Sequence, residues 1–504
     1  MATMIDPLRH AVHAAPDAVA VRCGDAELTY AQTWERARRL VGALRGLGVG
    51  DGDRVAVVAR NCHRYLELYQ AVPGAGMALV PLNQRHTAAE LAYALQDSGA
   101  RVLFVASGID YPDGIVEHVI DLEDGYETLL AAAAPADFPD HLAPETMAGL
   151  FYTGGTTGAS KGVILTHRNL TANALHFQAE FSFRADTCWL VAAPLFHAAG
   201  SFAVLPTVWH AGCQVPLPVF DAADALDLIE NRKVTATLVV PTMLAAMADE
   251  QLARPRDVSS LRLLSHGGSP VATETLRRAH QAFPEAELLH LYGTTETAPL
   301  ATILAQEERF LDAPQARSCG QPIIGVEVRV LDDDTGGAAT PGTVGEVLIR
   351  GENVMAGYWN KPEETALAML DGWYRTGDLG YMDERSYLYL VDRAKDMIVS
   401  GGENVYSTEV EEALYRHPAV LEAAVFGIPD ARWGEAVHAV VVPRGEVAEA
   451  ELIAHCRGLI ADYKLPKRIE LSAEPLPKSG AGKVLKRELR APHWSGRESV
   501  VGGA

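Results

Sequence analysis

Cationic side chains are scarce in this sequence. Its 43 Lys and Arg stand against 65 Asp and Glu, a formal net charge of -22. Such a surface keeps a chain dispersed and argues against broad nucleic-acid binding, although a locally positive pocket can still hold an anion. Cysteine is sparse too. Cys23, Cys62, Cys188, Cys213, Cys319 and Cys456 are scattered, with no C-x-x-C pair and no zinc-ligand spacing. That pattern predicts reduced thiols in a cytoplasmic setting. No uninterrupted apolar run reaches the ~18 residues of a membrane span. The opening stretch MATMIDPLRHAVHAAP lacks the apolar run of a signal peptide, so no secretory leader is expected. A peripheral membrane contact and a homodimer stay open.

What is present is α/β patterning. Short apolar, β-branched runs end in Gly or Pro turns at 54–60, 100–106, 235–241, 261–268 and 288–293; they read as buried strands. Helix-like segments such as 33–48 lie between them, which predicts layered parallel α/β subdomains. From about 325, GVEVRVLDDDTGG and GEVLIRG predict antiparallel strands of a β-barrel-like part. After 389–405 comes a compact α+β pattern: a helix from STEVEEALYRHPAV with an N-cap Ser or Thr, two strands, and a helix over AEAELIAHCRGLI. The expected organisation is a large N-terminal domain, 1–394, and a small mobile C-terminal domain, 395–504. The last ~14 residues, rich in Gly and Ser, read as a loose tail.

Chemistry concentrates in a few turns. FYTGGTTGASKGVILTH (151–167) packs Gly and Thr around one Lys. Glycines let backbone N–H groups converge on an anion, Thr hydroxyls add donors, and Lys161 adds a point charge. This predicts a polyphosphate cradle. It is not a Walker A loop, because Lys161 follows Ser160 and precedes Gly162. In LHLYGTTETA (289–298), Tyr292 suits a base, Thr295 a phosphate, and Glu296 a Mg²⁺ held against that phosphate. SHGGSPV (265–271), with Gly267, Gly268 and Ser269, suits the back of an adenine ring. WYRTGDLG (373–380) is expected to place Asp378 in a turn, where a carboxylate can accept both ribose hydroxyls.

These segments resemble, in order, the motifs of AMP-forming acyl-CoA synthetases, a superfamily shared with peptide-synthetase adenylation domains and luciferases. The resemblance spans nearly the whole chain: ELTYAQ (27–32), YTGGTTGASKG (152–162), PLFH (194–197), YGTTE (292–296), GEVLIRG (345–351), YRTGDLG (374–380), DRAKDMIVSGGENVYSTEVE (392–411), YKLPK (463–467) and PKSGAGKVLK (477–486). It implies ATP, Mg²⁺ and coenzyme A as cosubstrates. A carboxylate would attack the α-phosphate of ATP, giving acyl-AMP and pyrophosphate, and a thiol would then displace AMP.

It also implies residue roles. Thr153, Gly155, Thr156, Thr157, Gly158 and Lys161 would line the phosphate loop. Tyr292, Gly293, Thr294, Thr295 and Glu296 would hold adenine, phosphate and Mg²⁺. Asp378 would hold the ribose, and Arg393 would stand near the ribose and phosphate. Lys395 would be a hinge, and Gly401 and Gly402 would line the thiol channel. Lys483 would bridge carboxylate and phosphate, and His197 would stand beside the acyl carboxylate. Two departures from the family pattern, Gly154 and Ser160, are expected to loosen the loop.

The acid is less legible. No Lys or Arg occurs from Ala185 to Asn231, nor over 297–306, and a second buried carboxylate would go unpaired. The expectation is therefore an apolar monocarboxylate. A medium- or long-chain fatty acid ranks first. An aromatic or ring-bearing acid, or transfer to a carrier protein instead of coenzyme A, are the alternatives.

Overall fold

The computed structural model describes residues 2–153, 160–269, 271, 273–307, 311–332, 335–393, 396–400, 403–430, 432–478 and 484–494. The chain forms two compact units: Met1–Val328 with Ile349–Tyr374, and Arg329–Leu348 with Arg375–Ala504. The strands Val326–Val330, Gly345–Gly351 and Trp373–Met382 each begin in one unit and end in the other.

Unit 1 is built on two large sheets. One has seven strands in the order Gly357–Tyr358, Lys161–Thr166, Met147–Thr153, Ala78–Leu82, Arg54–Val58, Val102–Val105, His118–Asp121. It is parallel from Met147–Thr153 through to His118–Asp121, and antiparallel on its other side. The strands expected over 54–60 and 100–106 are neighbours here. Val55, Ala56, Val57 and Val58 are all fully buried, as unbroken apolar runs require when helices cover both faces.

The second sheet has nine strands, in which Ala236–Val239, Leu263–Gly267 and Glu287–Tyr292 lie side by side and parallel. These are the three later runs read as strands. The helix expected over 33–48 is Tyr30–Gly46. It starts earlier because Thr29 caps it: its side chain accepts from the Gln32 backbone N–H, and the Gln32 side chain accepts in return from the Thr29 N–H.

The barrel-like part expected from about 325 is a five-stranded sheet of Val326–Val330, Gly345–Gly351, Trp373–Met382, Met369–Leu370 and Leu388–Arg393. The C-terminal α+β pattern is present within unit 2. Val420–Asp430 and Gly434–Pro443 form a long antiparallel pair, and Arg468–Leu471 runs parallel to the latter. Ile398, Val405, Val410, Leu414, Val425, Val437, Leu452 and Ile469 fill the core between this sheet and the helices Ser407–Tyr415 and Glu449–Arg457.

Two expectations need correction. Ser407–Tyr415 is not capped by its own Ser or Thr; its N-cap position is Tyr406, which makes no side-chain cap bond. The cap comes from Asp392, whose carboxylate accepts from the Ser407 backbone N–H (2.5 Å) and hydroxyl (3.0 Å). An external carboxylate satisfies the orphan donors of the first turn and complements its dipole. The loose tail also begins later than expected. Residues 491–494 end a helix, Lys486–Trp494, anchored by Arg490 on Glu435 (3.0 Å) and by Trp494 Nε1 donating to Gly427 O (3.0 Å). The rest of that tail lies outside the described residues.

Candidate active site

The Gly- and Thr-rich motifs of unit 1 leave the ends of adjacent strands. Thr153 closes Met147–Thr153, Lys161 opens Lys161–Thr166, and the two residues face each other in the antiparallel ladder. Gly155, Thr156, Thr157 and Gly158 lie outside the described residues; the neck of their loop does not. There the Ser160 hydroxyl donates to the Thr153 carbonyl, and the Tyr93 hydroxyl donates to the Ser160 carbonyl (3.0 Å). Ser160 thus ties the neck across its base by a hydrogen bond; Gly154 and the loop it was expected to loosen lie outside the described residues.

Gly267 and Leu291 are direct partners on neighbouring parallel strands. The turns Gly267–Ser269 and Tyr292–Glu296 therefore emerge together at carboxyl ends, the usual place for a ligand crevice in a parallel sheet. A Cβ on Gly267 would lie 2.3 Å from Leu291 O, and one on Gly293 would lie 1.9 Å from Pro299 O. Both positions need Gly for close backbone approach. Gly268, at φ 88°, needs it for conformation.

The Tyr292–Glu296 turn is held from behind. Thr297 Oγ1 accepts from the Thr294 N–H and donates to the Thr294 carbonyl, each at 3.0 Å. The side-chain amides of Asn173 and Asn353, both buried, donate to the carbonyls of Thr297 and Leu300.

Glu296, 9% exposed, accepts at Oε1 from the Tyr358 hydroxyl (3.0 Å). Lys161 Nζ stands 4.9 Å from the centre of the Tyr358 ring. Tyr358 reaches both because its strand, Gly357–Tyr358, borders Lys161–Thr166. Burial, and then the Glu296 charge, push the Tyr358 and Tyr374 phenols well above the usual range, so both stay protonated donors. Sequence reasoning gave no role to Tyr358 or Tyr374, although Tyr374 opens the quoted YRTGDLG motif. One carboxylate among hydroxyls fits Mg²⁺, which keeps waters and takes one or two carboxylates beside a substrate phosphate.

Below these turns His266 and His290 pack with ring centres 5.1 Å apart. Burial lowers His266 to about 4 and His290 to about 3, the latter helped by His266; burial likewise lowers His167 to about 4. All three fold neutral, whereas the unfolded chain protonates them near 6.5. The unfolded state then binds more protons below that pH, so stability is full above about 6.5 and falls as pH drops towards 4. The urea midpoint should be steady from pH 8 to 7 and decline from pH 6.5 to 5. A flat midpoint over that lower range would contradict the assignment.

His197 is half-buried at the head of the short helix Ala198–Ser201, its ring 4.8 Å from Phe196. The PLFH turn before it is fixed by Asn61, a buried residue that sequence reasoning missed. Asn61 Nδ2 donates to Val191 O and Ala193 O (both 3.0 Å), and its Oδ1 accepts from Leu195 N (2.9 Å). Behind this segment Phe177, Phe183, Trp189 and Phe202 interlock, Phe202 lying 4.6 Å from Phe177.

In unit 2, Asp378 and Arg393 are opposite one another in the antiparallel pair of Trp373–Met382 with Leu388–Arg393. Arg393 Nε lies 3.1 Å from Asp378 Oδ1, with the Asp side chain 7% and the Arg side chain 42% exposed. Asp378 therefore lies within a strand and not in the expected turn. The ladder continues past it, and Gly377 (φ 69°) supplies the bend. Glu346 braces that bend, pairing with Arg375 (2.5 Å) and accepting from Gly377 N (3.1 Å).

Asp392, next to Arg393, leads into a buried polar chain. Ser407 Oγ accepts from Lys486 Nζ (2.6 Å), and Lys486 pairs with Glu411 (2.7 Å). Burial opposes the Lys486 charge, but Glu411 and Asp392 outweigh it and hold the amine above its ordinary value. Lys395, Gly401, Gly402 and Lys483 lie outside the described residues. The neck of the Lys483 loop is closed by a bridge between Lys478 and Val484.

In unit 1, Thr153, Lys161 and an acid-tipped turn stand at strand ends, and unit 2 carries an Asp–Arg pair; the fold is that of adenylate-forming enzymes. The chain matches the AMP-binding enzyme family over residues 8–359 and the AMP-binding enzyme C-terminal domain over residues 409–483. It belongs to that family, as an AMP-forming acyl-CoA synthetase: an acid–thiol ligase that uses ATP, Mg²⁺ and coenzyme A.

It is 42% identical to a feruloyl-CoA synthase from Amycolatopsis over 96% of this chain and 97% of that protein. It is 36% identical to the fatty acid–[acyl-carrier-protein] ligase ScoC from Streptomyces coeruleorubidus, over 96% and 95%. Among solved structures it resembles o-succinylbenzoate CoA synthetase from Bacillus subtilis in complex with its acyl-adenylate intermediate. The TM-score is 0.89 at 30% identity, covering 97% of this chain and 98% of that one. Among the described residues, no helix is long and apolar enough to cross a membrane.

Proposed function

We propose that this ligase activates an aromatic or ring-bearing monocarboxylic acid, of the hydroxycinnamate kind, in place of the fatty acid ranked first from sequence. The observation that carries this is the likeness to feruloyl-CoA synthase, at 42% identity over 96% of the chain. That exceeds the 36% to the fatty-acid ligase ScoC. The interlocked Phe177, Phe183, Trp189 and Phe202 support it. They build a rigid aromatic cluster next to the Ala198–Ser201 segment. The absence of Lys and Arg from Ala185 to Asn231 still disfavours a second carboxylate.

The residue roles follow by position. Thr153, Lys161 and the loop between them cradle the phosphates. Glu296 would hold Mg²⁺, which supplies charge neutralisation at the phosphates. Tyr358 orients Glu296, and Asp378 with Arg393 takes the ribose. Lys483 serves adenylation, and Gly401 and Gly402 serve thioester formation, with Lys395 the pivot between the two poses.

The test is a competition among ferulate, cinnamate, laurate and malonate at equal concentration, read as coenzyme A thioester formed. We expect kcat/KM for ferulate or cinnamate to exceed that for laurate by about tenfold or more, the scale set by pocket complementarity. Laurate in first place would return the fatty-acid reading, and malonate in first place would overturn both.

A further inference from the structure

His438 is out of place in the core of unit 2. It lies in Gly434–Pro443 between the buried Val437 and Ala439 and is 1% exposed. Among the described residues, neither ring nitrogen has a hydrogen-bond partner. Buried polar atoms are nearly always bonded, and one that is not calls for a reason. Phe426 faces it across the ladder, ring centres 5.2 Å apart, and offers no polar partner.

Two other metal-ligating side chains converge on the same spot from separate elements. Glu470, on Arg468–Leu471, brings Oε2 to 3.9 Å from His438 Nε2. This is too long for a hydrogen bond. His493, on the helix Lys486–Trp494, has its ring centre 4.9 Å from that of His438. One ligand atom from each of the three lies within 4.8 Å of the others.

We propose that His438, Glu470 and His493 bind a divalent transition-metal ion of the zinc class. Two imidazoles and one carboxylate are a zinc set, with the fourth tetrahedral position left to water. The nitrogen–oxygen chemistry disfavours Ca²⁺ and Mg²⁺, which take oxygen ligands. Tetrahedral bonds of ~2.1 Å put ligand atoms ~3.4 Å apart. The three groups need to close by at most about 1.4 Å to reach that spacing, and the exposed Glu470 and His493 side chains can turn to do so. The ligand that cannot move is the buried one. Arg468, opposite His438 in the ladder, opposes a cation here, but it is exposed. Glu449, which accepts from Ile469 N (2.8 Å), adds negative charge nearby.

The ion would join three elements, adding to the Arg490–Glu435 pair that already ties the helix to Gly434–Pro443 and to the ladder between the two strands. It would fasten the helix that begins three residues after Lys483 to two strands of the sheet. The proposal does not depend on which acid the enzyme activates.

The test uses the full-length protein, stripped with a chelator and titrated with Co²⁺ and then Zn²⁺. Visible Co²⁺ absorption and isothermal calorimetry give the coordination and the affinity. One equivalent of four-coordinate Co²⁺, displaced by Zn²⁺, is expected, and Zn²⁺ should raise Tm. His493→Ala and Glu470→Gln, both at exposed positions, should weaken binding by about tenfold or more and abolish the Tm gain. Absence of binding to the wild type would overturn the proposal. So would binding that these two substitutions leave unchanged, which would place the ion on other histidines.

Discussion

Lys483→Ala should slow ATP-dependent pyrophosphate release by roughly 10²–10³-fold, yet leave thioester formation from supplied acyl-AMP and coenzyme A near the wild-type rate. The asymmetry follows from where charge develops. In adenylation two anions meet: the acid carboxylate and the α-phosphate it attacks. A preorganised ammonium between them stabilises the transition state more than either ground state. In the second step the attacking thiol replaces AMP at a carbonyl that is already activated, and no second anion has to be brought in. The neighbouring Lys486 cannot substitute, because its amine is engaged by Glu411 and Ser407. If both half-reactions fall together in a variant that keeps its wild-type Tm, Lys483 is not an adenylation residue.

Glu296→Gln should lower adenylation by about 10²-fold and raise the Mg²⁺ concentration needed for half-maximal rate. Gln keeps the size of the side chain and an oxygen that can accept from Tyr358, so the turn braced by Asn173, Asn353 and Thr297 should hold. What is lost is a nearly buried negative charge, in a place where water screens little. The thioester half-reaction from acyl-AMP should be spared, since it carries no polyphosphate. Initial rates across a Mg²⁺ series decide the matter: loss of rate with an unchanged Mg²⁺ requirement would remove Glu296 from the metal and leave it a structural acid.

Much of this architecture is legible in single segments. A run such as RVAVVAR announces a buried strand by its β-branched residues, and YGTTE announces a turn by its Gly and Thr. What stayed hidden depends on distant meetings. Tyr358 bonds Glu296 across 62 positions of sequence, and nothing in AGYWN marks that Tyr from any other. Asn61 and Asn353 look like ordinary loop amides until their carbonyl partners are known. Glu346 sat in a quoted motif with no role, because its partners Arg375 and Gly377 are reached only through strand pairing.

Asp378 was misjudged for a local reason: T-G-D has turn chemistry, and Gly377 does bend, but the ladder runs on through it. Ser407 was misjudged because a Ser at a helix start suits a cap, and only the fold shows Asp392 taking that place. The acid is the least legible part, because a segment without cations separates apolar from charged ligands and cannot tell a planar one from a flexible one.

The three strands that pass between the units set an order of events during synthesis. Arg329–Leu348 leaves the ribosome before Ile349–Tyr374, yet it belongs to unit 2, while the later stretch completes unit 1. Unit 1 thus cannot finish until Tyr374 has emerged, and by then Arg329–Leu348 of the other unit is already made and awaits the rest of Trp373–Met382. A fragment cut just before Lys395 would keep all five strands of the sheet to which those three belong and lack the rest of unit 2. A chain released from translation at Tyr374 would carry that sheet unfinished, without Leu388–Arg393 and most of Trp373–Met382, a natural handle for chaperone or protease.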